Sequence, residues 1–217
     1  MDVLTLDGSH GEGGGQILRT ALSLSAITAR PFCIVNIRAS RRNPGLMPQH
    51  LAAVRAAAII SGATVSGDRL GSAELDFAPC HSPTPGSYVF DVAETAERGS
   101  AGSATLILHT LLVPLGLAEG ASALVLRGGT HVEWSPPFDH VVNSYLPMLY
   151  RMGFRMTAEL KRPARPRRDR LHRLGKIGRG HRSAPAPHRP AGARGLAADR
   201  RPRSRRQPAR SYSPAHG

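Results

Sequence analysis

Glu12 stands among five glycines in "GSHGEGGGQILRT", residues 8–20, directly ahead of a helix-like segment carrying Arg19. A glycine-rich turn between a strand and a helix leaves backbone N–H groups uncovered at the positive end of the helix, where an anion can bind. The spacing Gly11, Gly13, Gly14, Gly15, Gln16 is not GxGxxG, and no Gly-Lys-Ser/Thr follows. The dinucleotide and P-loop patterns therefore do not apply. A carboxylate beside bound phosphate is repulsive unless a cation lies between them. Glu12 thus points to Mg²⁺ or Mn²⁺ shared with phosphate oxygens, and Arg19, one turn into the helix, is placed to reach the same anion. The alternative reading of these residues is a tight turn with a surface Glu and a surface Arg.

A second cluster, "NIRASRRNPGLMPQH", sets Arg38, Arg41 and Arg42 at a strand exit and Gln49 and His50 at the start of the following helix. Three guanidiniums within five residues suit bidentate recognition of phosphate; a solvated turn is the alternative. In "SAGSATLILHT", Ser100, Gly102 and Ser103 form a small-residue helix start. His109 follows among Leu108, Leu111 and Leu112, where a lone histidine is ordinarily a packed core residue. "RGGTHVEWSPPFDH" places Gly128, Gly129, Trp134 and Phe138 in a proline-stiffened loop. Either aromatic there can stack on a base or pack in the core.

The elements that must hold these residues are legible from periodicity. "DVLTL" and the β-branched "FCIVNIRA" read as strands, separated by a helix over "GGQILRTALSLSAIT" with Ile17, Ala21, Leu24 and Thr28 on one face. "PQHLAAVRAAAIISG" reads as a helix with Pro48 in its first turn and Gly62 as its stop. "ATVSG" and "SAELDFA" close the unit, Leu75 and Phe77 alternating with Glu74 and Asp76 as in a half-buried strand. The second half repeats the order: strand "SYVFDVA", an apolar helix over "SAGSATLILHTLLVPLGLAEG", and strand "ALVLRGG". It ends with helix "PFDHVVNSYLPMLYRMG", capped by Asp139 and Gly153, and "FRMTAEL" as last strand. Pro114 and Pro147 are expected to kink or shorten their helices. Two successive units, about 1–80 and 86–160, amount to an internal repeat.

Charge divides the chain differently. Residues 1–160 hold 11 Lys and Arg against 13 Asp and Glu, whereas residues 161–217 hold 18 against 2, so the net charge of +14 belongs to the tail. The body is nearly neutral and must be judged by local clusters. After Pro163 large aliphatics are too sparse to offset the entropy of ordering, so 163–217 is expected to be a disordered Arg/Pro-rich tail. Its composition fits a basic arm gripping RNA phosphates or an out-of-frame translation of GC-rich DNA, the latter favoured. Cys33 and Cys80 have no neighbouring cysteine, which suits a reducing compartment. With no signal-like N-terminus and no apolar run of about 20 residues, the expectation is a soluble cytoplasmic protein without a membrane segment.

The stretches "LDGSHGEGGGQILRTALSLSAITARPF", "IRASRRNPGLMPQHLAAVRAA", "SAGSATLILHTLL" and "GGTHVEWSPPFD" together resemble successive signatures of the RNA 3′-terminal phosphate cyclases, over Leu4 to Arg162. The resemblance implies an α+β fold of repeated βαβαββ units with helices on one side of each sheet, here residues 1–162. It also implies ATP and a divalent metal, Mg²⁺ or Mn²⁺, as cofactors and RNA 3′-phosphate ends as partner. In that chemistry ATP adenylates an enzyme histidine, AMP passes to the RNA 3′-phosphate, and the vicinal 2′-OH attacks to leave a 2′,3′-cyclic phosphate. Carried over by motif, Glu12 contacts metal and ATP phosphates, while Arg19, Arg38, Arg41, Gln49 and His50 line the nucleotide and RNA-phosphate site. His109 stands where many members have a nucleotide-contacting Gln.

The family's nucleophilic histidine lies far downstream, in a motif this sequence does not contain; His172, His181, His188 and His216 sit in nothing like it. The inserted small domain of the family is missing as well. Similarity stops where the composition turns Arg/Pro-rich, as in a truncated or frameshifted product. The expectation is a cyclase by descent that lacks the covalent step. A non-catalytic cyclase-like RNA-binding protein and an unstable fragment are the alternatives.

Overall fold

The computed structural model describes residues 3–92, 102–161 and 172–179. Two four-stranded mixed sheets carry the helices, and the fold is α+β as expected. The first unit runs β1 (Leu4–Asp7), α1 (Gly15–Thr28), β2 (Phe32–Val35), α2 (Pro48–Ser61), β3 (Thr64–Ser66) and β4 (Leu75–Ala78). Its sheet order is β1-β2-β4-β3, with β1 parallel to β2 and the other pairs antiparallel. The second unit runs β5 (Ser87–Asp91), α3 (Ala104–Leu117), β6 (Ser122–Arg127), a broken helix over residues 138–151, β7 (Phe154–Glu159) and β8 (His172–Arg179). Its order, β5-β6-β8-β7, repeats the first strand for strand. A parallel first pair requires a crossover helix, which α1 and α3 supply.

Burial follows the pleat. In β4, Leu75 and Phe77 are buried while Asp76 and Ala78 are exposed, so one face of the sheet meets the helices. The first core joins Leu18 and Leu22 of α1, Phe32 and Ile34 of β2, Val54 and Ala57 of α2, and Phe77. The second joins Leu108, Leu111 and Leu112 of α3 to Leu124 and Leu126 of β6, and takes Ala52, Ala56 and Ile60 from α2. Helix α2 therefore serves both cores from opposite flanks. This explains its run of alanines, whose small side chains let elements approach on either side. Among the described residues no helix is long and apolar enough to cross a membrane.

Several expectations are confirmed and others corrected. Pro48 occupies the first turn of α2, and Gly62 caps it at φ 58° in the left-handed region that glycine adopts without strain. Helix α1 buries Leu18, Arg19, Ala21, Leu22, Ser25 and Ala26; of the expected face Ala21 is buried and Ile17 half-buried, while Leu24 and Thr28 are exposed. The buried arc is turned because α1 packs on α3 as well as on its own sheet. Pro114 does not shorten α3, which runs unbroken across it. Proline lacks an N–H for the carbonyl of Thr110, four residues earlier, and the Ser23 hydroxyl of α1 lies 2.7 Å from that oxygen. The helix from Phe138 to Arg151 is interrupted by a π-helical turn, Val141–Tyr145, just before Pro147. Its N-cap is Pro137, so Asp139 is not the cap but lies in the first turn.

β7, which ends at Glu159, is not the last strand. β8 lies between β6 and β7 and pairs antiparallel with both, Leu126 opposite His172 and Glu159 opposite Arg173. Among the described strands β7 bonds only to β8, so β8 completes the second βαβαββ unit. The strand is drawn from the stretch expected to be disordered, and it belongs to the compact unit Met1–Arg182. Backbone pairing, which needs no particular side chain, supplies what its composition lacks. The remainder of 163–217 lies outside the described residues.

Candidate functional site

Because β1 and β2 are parallel, the loops leaving them emerge at the same edge of the sheet, the usual place for a ligand in sheets of this kind. The two loops touch at Gly8. Its N–H donates to the Val35 carbonyl at 2.7 Å, and a Cβ there would lie 2.9 Å from that oxygen. Gly11 and Gly13 turn the chain at φ 59° and 56°, which side chains with a Cβ rarely adopt. Helix α1 then begins behind Gly14, with no side-chain cap and no acidic residue in its first turn. Its leading N–H groups therefore keep their positive partial charge.

Arg19 and His50 converge on the first residue of that helix. A Cβ added to Gly15 would collide with His50 Nε2 and lie 2.9 Å from Arg19 Nη1. Arg19 is only 8 % exposed. Its Nη2 donates to Gln16 Oε1 at 3.3 Å, its Nε is buried without a partner, and among the described residues no carboxylate pairs with it. Burial pushes its pKa down to about 10. A buried guanidinium without a counter-charge is costly, and the group that would relieve it is an anion.

His50, 2 % exposed, is the third residue of α2, and its Nδ1 accepts the Met47 backbone N–H at 3.1 Å. That bond places the proton of the neutral ring on Nε2. Burial, reinforced by the positive charges of Arg19 and Arg38, pushes its pKa down to about 3. His50 thus presents a fixed, neutral N–H donor against Gly15.

The arginine loop divides its labour. Arg38, itself in the left-handed region at φ 55°, spends Nη1 on the carbonyls of Asn43 at 2.6 Å and Gly45 at 3.1 Å. It shapes its own loop as well as adding charge. Arg41 is exposed, with Nη2 at 3.5 Å from Glu12 Oε2 and 3.3 Å from where a Cβ of Gly14 would lie. Such an exposed pair is worth little by itself, so either partner is free to exchange for a ligand. Arg42 is exposed and has no role in these contacts.

Gln49 and His109 bring in the second unit. A Cβ on Gly102, at the start of α3, would stand 3.5 Å from the Gln49 Cβ, so the first turns of α2 and α3 meet. His109 is half-buried on α3, its ring 5.6 Å from that of Tyr145. Burial, then Arg19, lower its pKa. It borders a recess of about 80 Å³ lined also by Thr105, Pro136, His140 and Tyr145. His109 therefore borders this recess and is not one of the buried core residues.

Glu12, Arg19, Arg41, Gln49, His50 and His109 are thus drawn to one region, with Arg38 bracing it. Sequence reasoning missed Gln16, which holds Arg19, and Met47, which fixes the His50 tautomer. The second had a signal: a side chain at the third helical position is where a capping partner sits. Tyr145 had none, because its approach to His109 depends on the π-helical turn.

Residues 10–168 match the profile of the family described as RNA 3′-terminal phosphate cyclase. The RNA 3′-terminal phosphate cyclase of Gloeothece citriformis is 53 % identical over 159 residues, which are 73 % of this chain and 45 % of that protein. That of Methylococcus capsulatus is 54 % identical over 162 residues, 75 % of this chain and 45 % of that one. The enolpyruvyl transferase NikO from Streptomyces tendae superposes with a TM-score of 0.37 at 16 % identity, over 74 % of this chain and 30 % of that one, too distant to carry an argument. The chain belongs to the RNA 3′-terminal phosphate cyclase family, and it spans less than half the length of the curated relatives it matches.

Proposed function

We propose that this chain binds ATP with a divalent cation, and the 3′-phosphate end of RNA, at the turn between β1 and α1. This is the recognition part of a cyclase that converts a 3′-phosphate to a 2′,3′-cyclic phosphodiester at the expense of ATP. The observation that carries the reading is Arg19, buried with no acidic partner among the described residues and pressed with the His50 donor against Gly15. Phosphate oxygens would accept from both groups, and their charge complements that of the guanidinium.

The residues also fit a cation, on one condition. Among the described residues no group of three or more His, Cys, Asp or Glu is placed to hold an ion. Glu12 alone would hold Mg²⁺ or Mn²⁺ only jointly with phosphate oxygens and water, a common arrangement for nucleotide sites. When bound, the cation would spread the charge of the polyphosphate and ease attack on phosphorus. Arg41 would then leave Glu12 for a phosphate oxygen, and the leading N–H groups of α1 would donate to the same anion.

His50 is a donor in this scheme and not the nucleophile. Its Nδ1 lone pair is held by Met47 and its Nε2 bears the proton, so it has no free lone pair to direct at phosphorus. The role assigned to these residues is therefore binding without self-adenylylation.

The test uses the full chain and a 5′-labelled oligoribonucleotide ending in 3′-phosphate or 3′-OH, read by anisotropy, together with α-³²P-ATP and Mn²⁺ followed by denaturing electrophoresis. The expected result is tighter binding of the 3′-phosphate end, lost on Arg19→Met, with no covalent label. Equal affinity for the two ends would sink the phosphate site. Covalent AMP on the protein would sink the assignment of binding alone.

A further inference from the structure

We propose that Trp134 is a stacking platform for a base of the RNA strand whose 3′-phosphate occupies the turn between β1 and α1; the inference rests on the reading given above and extends it to a second contact. Trp134 is 92 % exposed, and its backbone lies in the left-handed region at φ 62°. A bulky residue there is strained, where glycine would not be. The strain persists because the loop around it is fastened at several points. The Phe138 N–H donates to the Thr130 carbonyl at 3.1 Å, and the Ser135 hydroxyl donates to the Val132 carbonyl at 2.7 Å. Thr130 Oγ1, His131 and Asp139 form a chain across the loop mouth, with contacts of 3.1 Å and 3.3 Å. The loop thus holds an indole rigidly out in water, with its faces uncovered.

The loop is joined to the phosphate site by a continuous series of contacts. His50 meets Gly15; Gln49, beside it, meets Gly102. Gly129, at the start of the loop, donates to the Gly102 carbonyl at 2.9 Å and accepts from the Ala104 N–H at 2.9 Å. The Thr105 hydroxyl donates to the Pro136 carbonyl at 2.8 Å, and Pro136 is two residues from Trp134 and lines the recess beside His109. Under this proposal a strand held by its terminal phosphate at Gly15 runs toward this loop, which is fastened to the elements that border the site. The residue before the indole is Glu133, so the tip offers a π-face and no phosphate grip. A base recognised there is read by stacking, which tolerates any sequence.

Trp134 is the sole tryptophan of the chain, so its fluorescence reports this position alone. Titrating the full chain with an unlabelled oligoribonucleotide ending in 3′-phosphate is expected to quench it, while ATP alone leaves it unchanged. In parallel anisotropy measurements Trp134→Ala is expected to weaken RNA binding by about ten-fold or more, with ATP affinity retained, and Trp134→Phe is expected to keep most of the RNA affinity. The side chain is exposed, and unchanged far-UV circular dichroism verifies that both variants fold. RNA binding that depends on the 3′-phosphate but neither quenches Trp134 nor weakens in Trp134→Ala overturns this inference and leaves the phosphate site standing. A change of oligomeric state in Trp134→Ala with unchanged RNA affinity also overturns it, in favour of a protein contact. Absence of 3′-phosphate-dependent binding in the unmodified chain overturns both readings.

Discussion

Replacing Arg19 by methionine is expected to make the ligand-free chain more stable. Burial lowers the guanidinium from its ordinary range to about 10, and at 1.36 kcal/mol per pH unit this corresponds to a cost of about 3 kcal/mol in the folded state. Methionine fills the same slot with an unbranched apolar chain and has a similar helix propensity. The lost bond from Nη2 to Gln16 subtracts about 1 kcal/mol. The net gain is about 2 kcal/mol, or roughly 4–8 °C in melting temperature for a chain of this size. A cation with a lowered pKa carries its cost wherever both folded and unfolded states are protonated. The gain is therefore constant across neutral pH and shrinks only as the pH rises through about 10. The assay is thermal unfolding by circular dichroism in chloride buffer free of phosphate and sulfate. Added pyrophosphate should reverse the order, because ligand at 100 times its Kd raises the stability of the unmodified chain by about 2.7 kcal/mol and has little purchase on Arg19→Met. A variant that melts below the unmodified chain in the anion-free buffer would refute the reasoning, since the guanidinium would then have a partner of its own.

Two further predictions concern pH and the helix pair. Below its ordinary 6.5 the unfolded His50 ring takes up a proton that the folded ring refuses until about pH 3, so folding stability should fall toward acid by up to about 1.4 kcal/mol per pH unit between pH 6 and 4 from this group. In His50→Gln, which can still cap the Met47 N–H, urea unfolding at pH 7, 6, 5 and 4 should show that part of the slope gone; an unchanged slope would mean that His50 is not buried as a neutral ring. Ser23→Ala should cost about 1–3 kcal/mol because the Thr110 carbonyl loses its donor. The cost should shrink in a Pro114→Ala background, where residue 114 regains an N–H for that carbonyl, and a double-mutant cycle with no coupling would contradict the pairing.

The parts of the fold that local chemistry dictates were legible in the sequence. Pro48 and Gly62 bound α2 because one lacks an N–H and the other tolerates φ 58°. Leu75 and Phe77 alternate because only one face of the sheet is covered. The glycines around Glu12 announced a tight turn for the same reason, Gly11 and Gly13 standing at φ 59° and 56°. What was not legible depends on the partner an element meets. Leu18 and Leu22, not Leu24, form the buried face of α1 because they meet the first sheet and α2. β8 forms in a charged, glycine-containing stretch because β6 and β7 offer it backbone on both sides. Arg38 read as a phosphate ligand from its neighbours in sequence, while Asn43 and Gly45 claim part of its guanidinium.

The two units share a strand order but not a site. The turn leaving β1 carries Glu12 and is faced by Arg19, Arg41 and His50, whereas α3 starts behind Gly102 and Ser103, where small neutral residues let the chain pack closely against Gly129. The second unit packs against the first beside Arg19. Arg19 and Ser23 lie one turn apart on α1, and Ser23 reaches the backbone of α3 beside His109, so α3 lies against the flank of α1 that carries Arg19. A guanidinium in that environment attracts an anion far more strongly than one in water, since Coulomb energy scales inversely with the local dielectric constant. The same covering also lowers the pKa of Arg19 and costs the ligand-free fold stability. The stability cost of Arg19 and whatever affinity it lends to the proposed phosphate site therefore share one cause, the burial of the guanidinium.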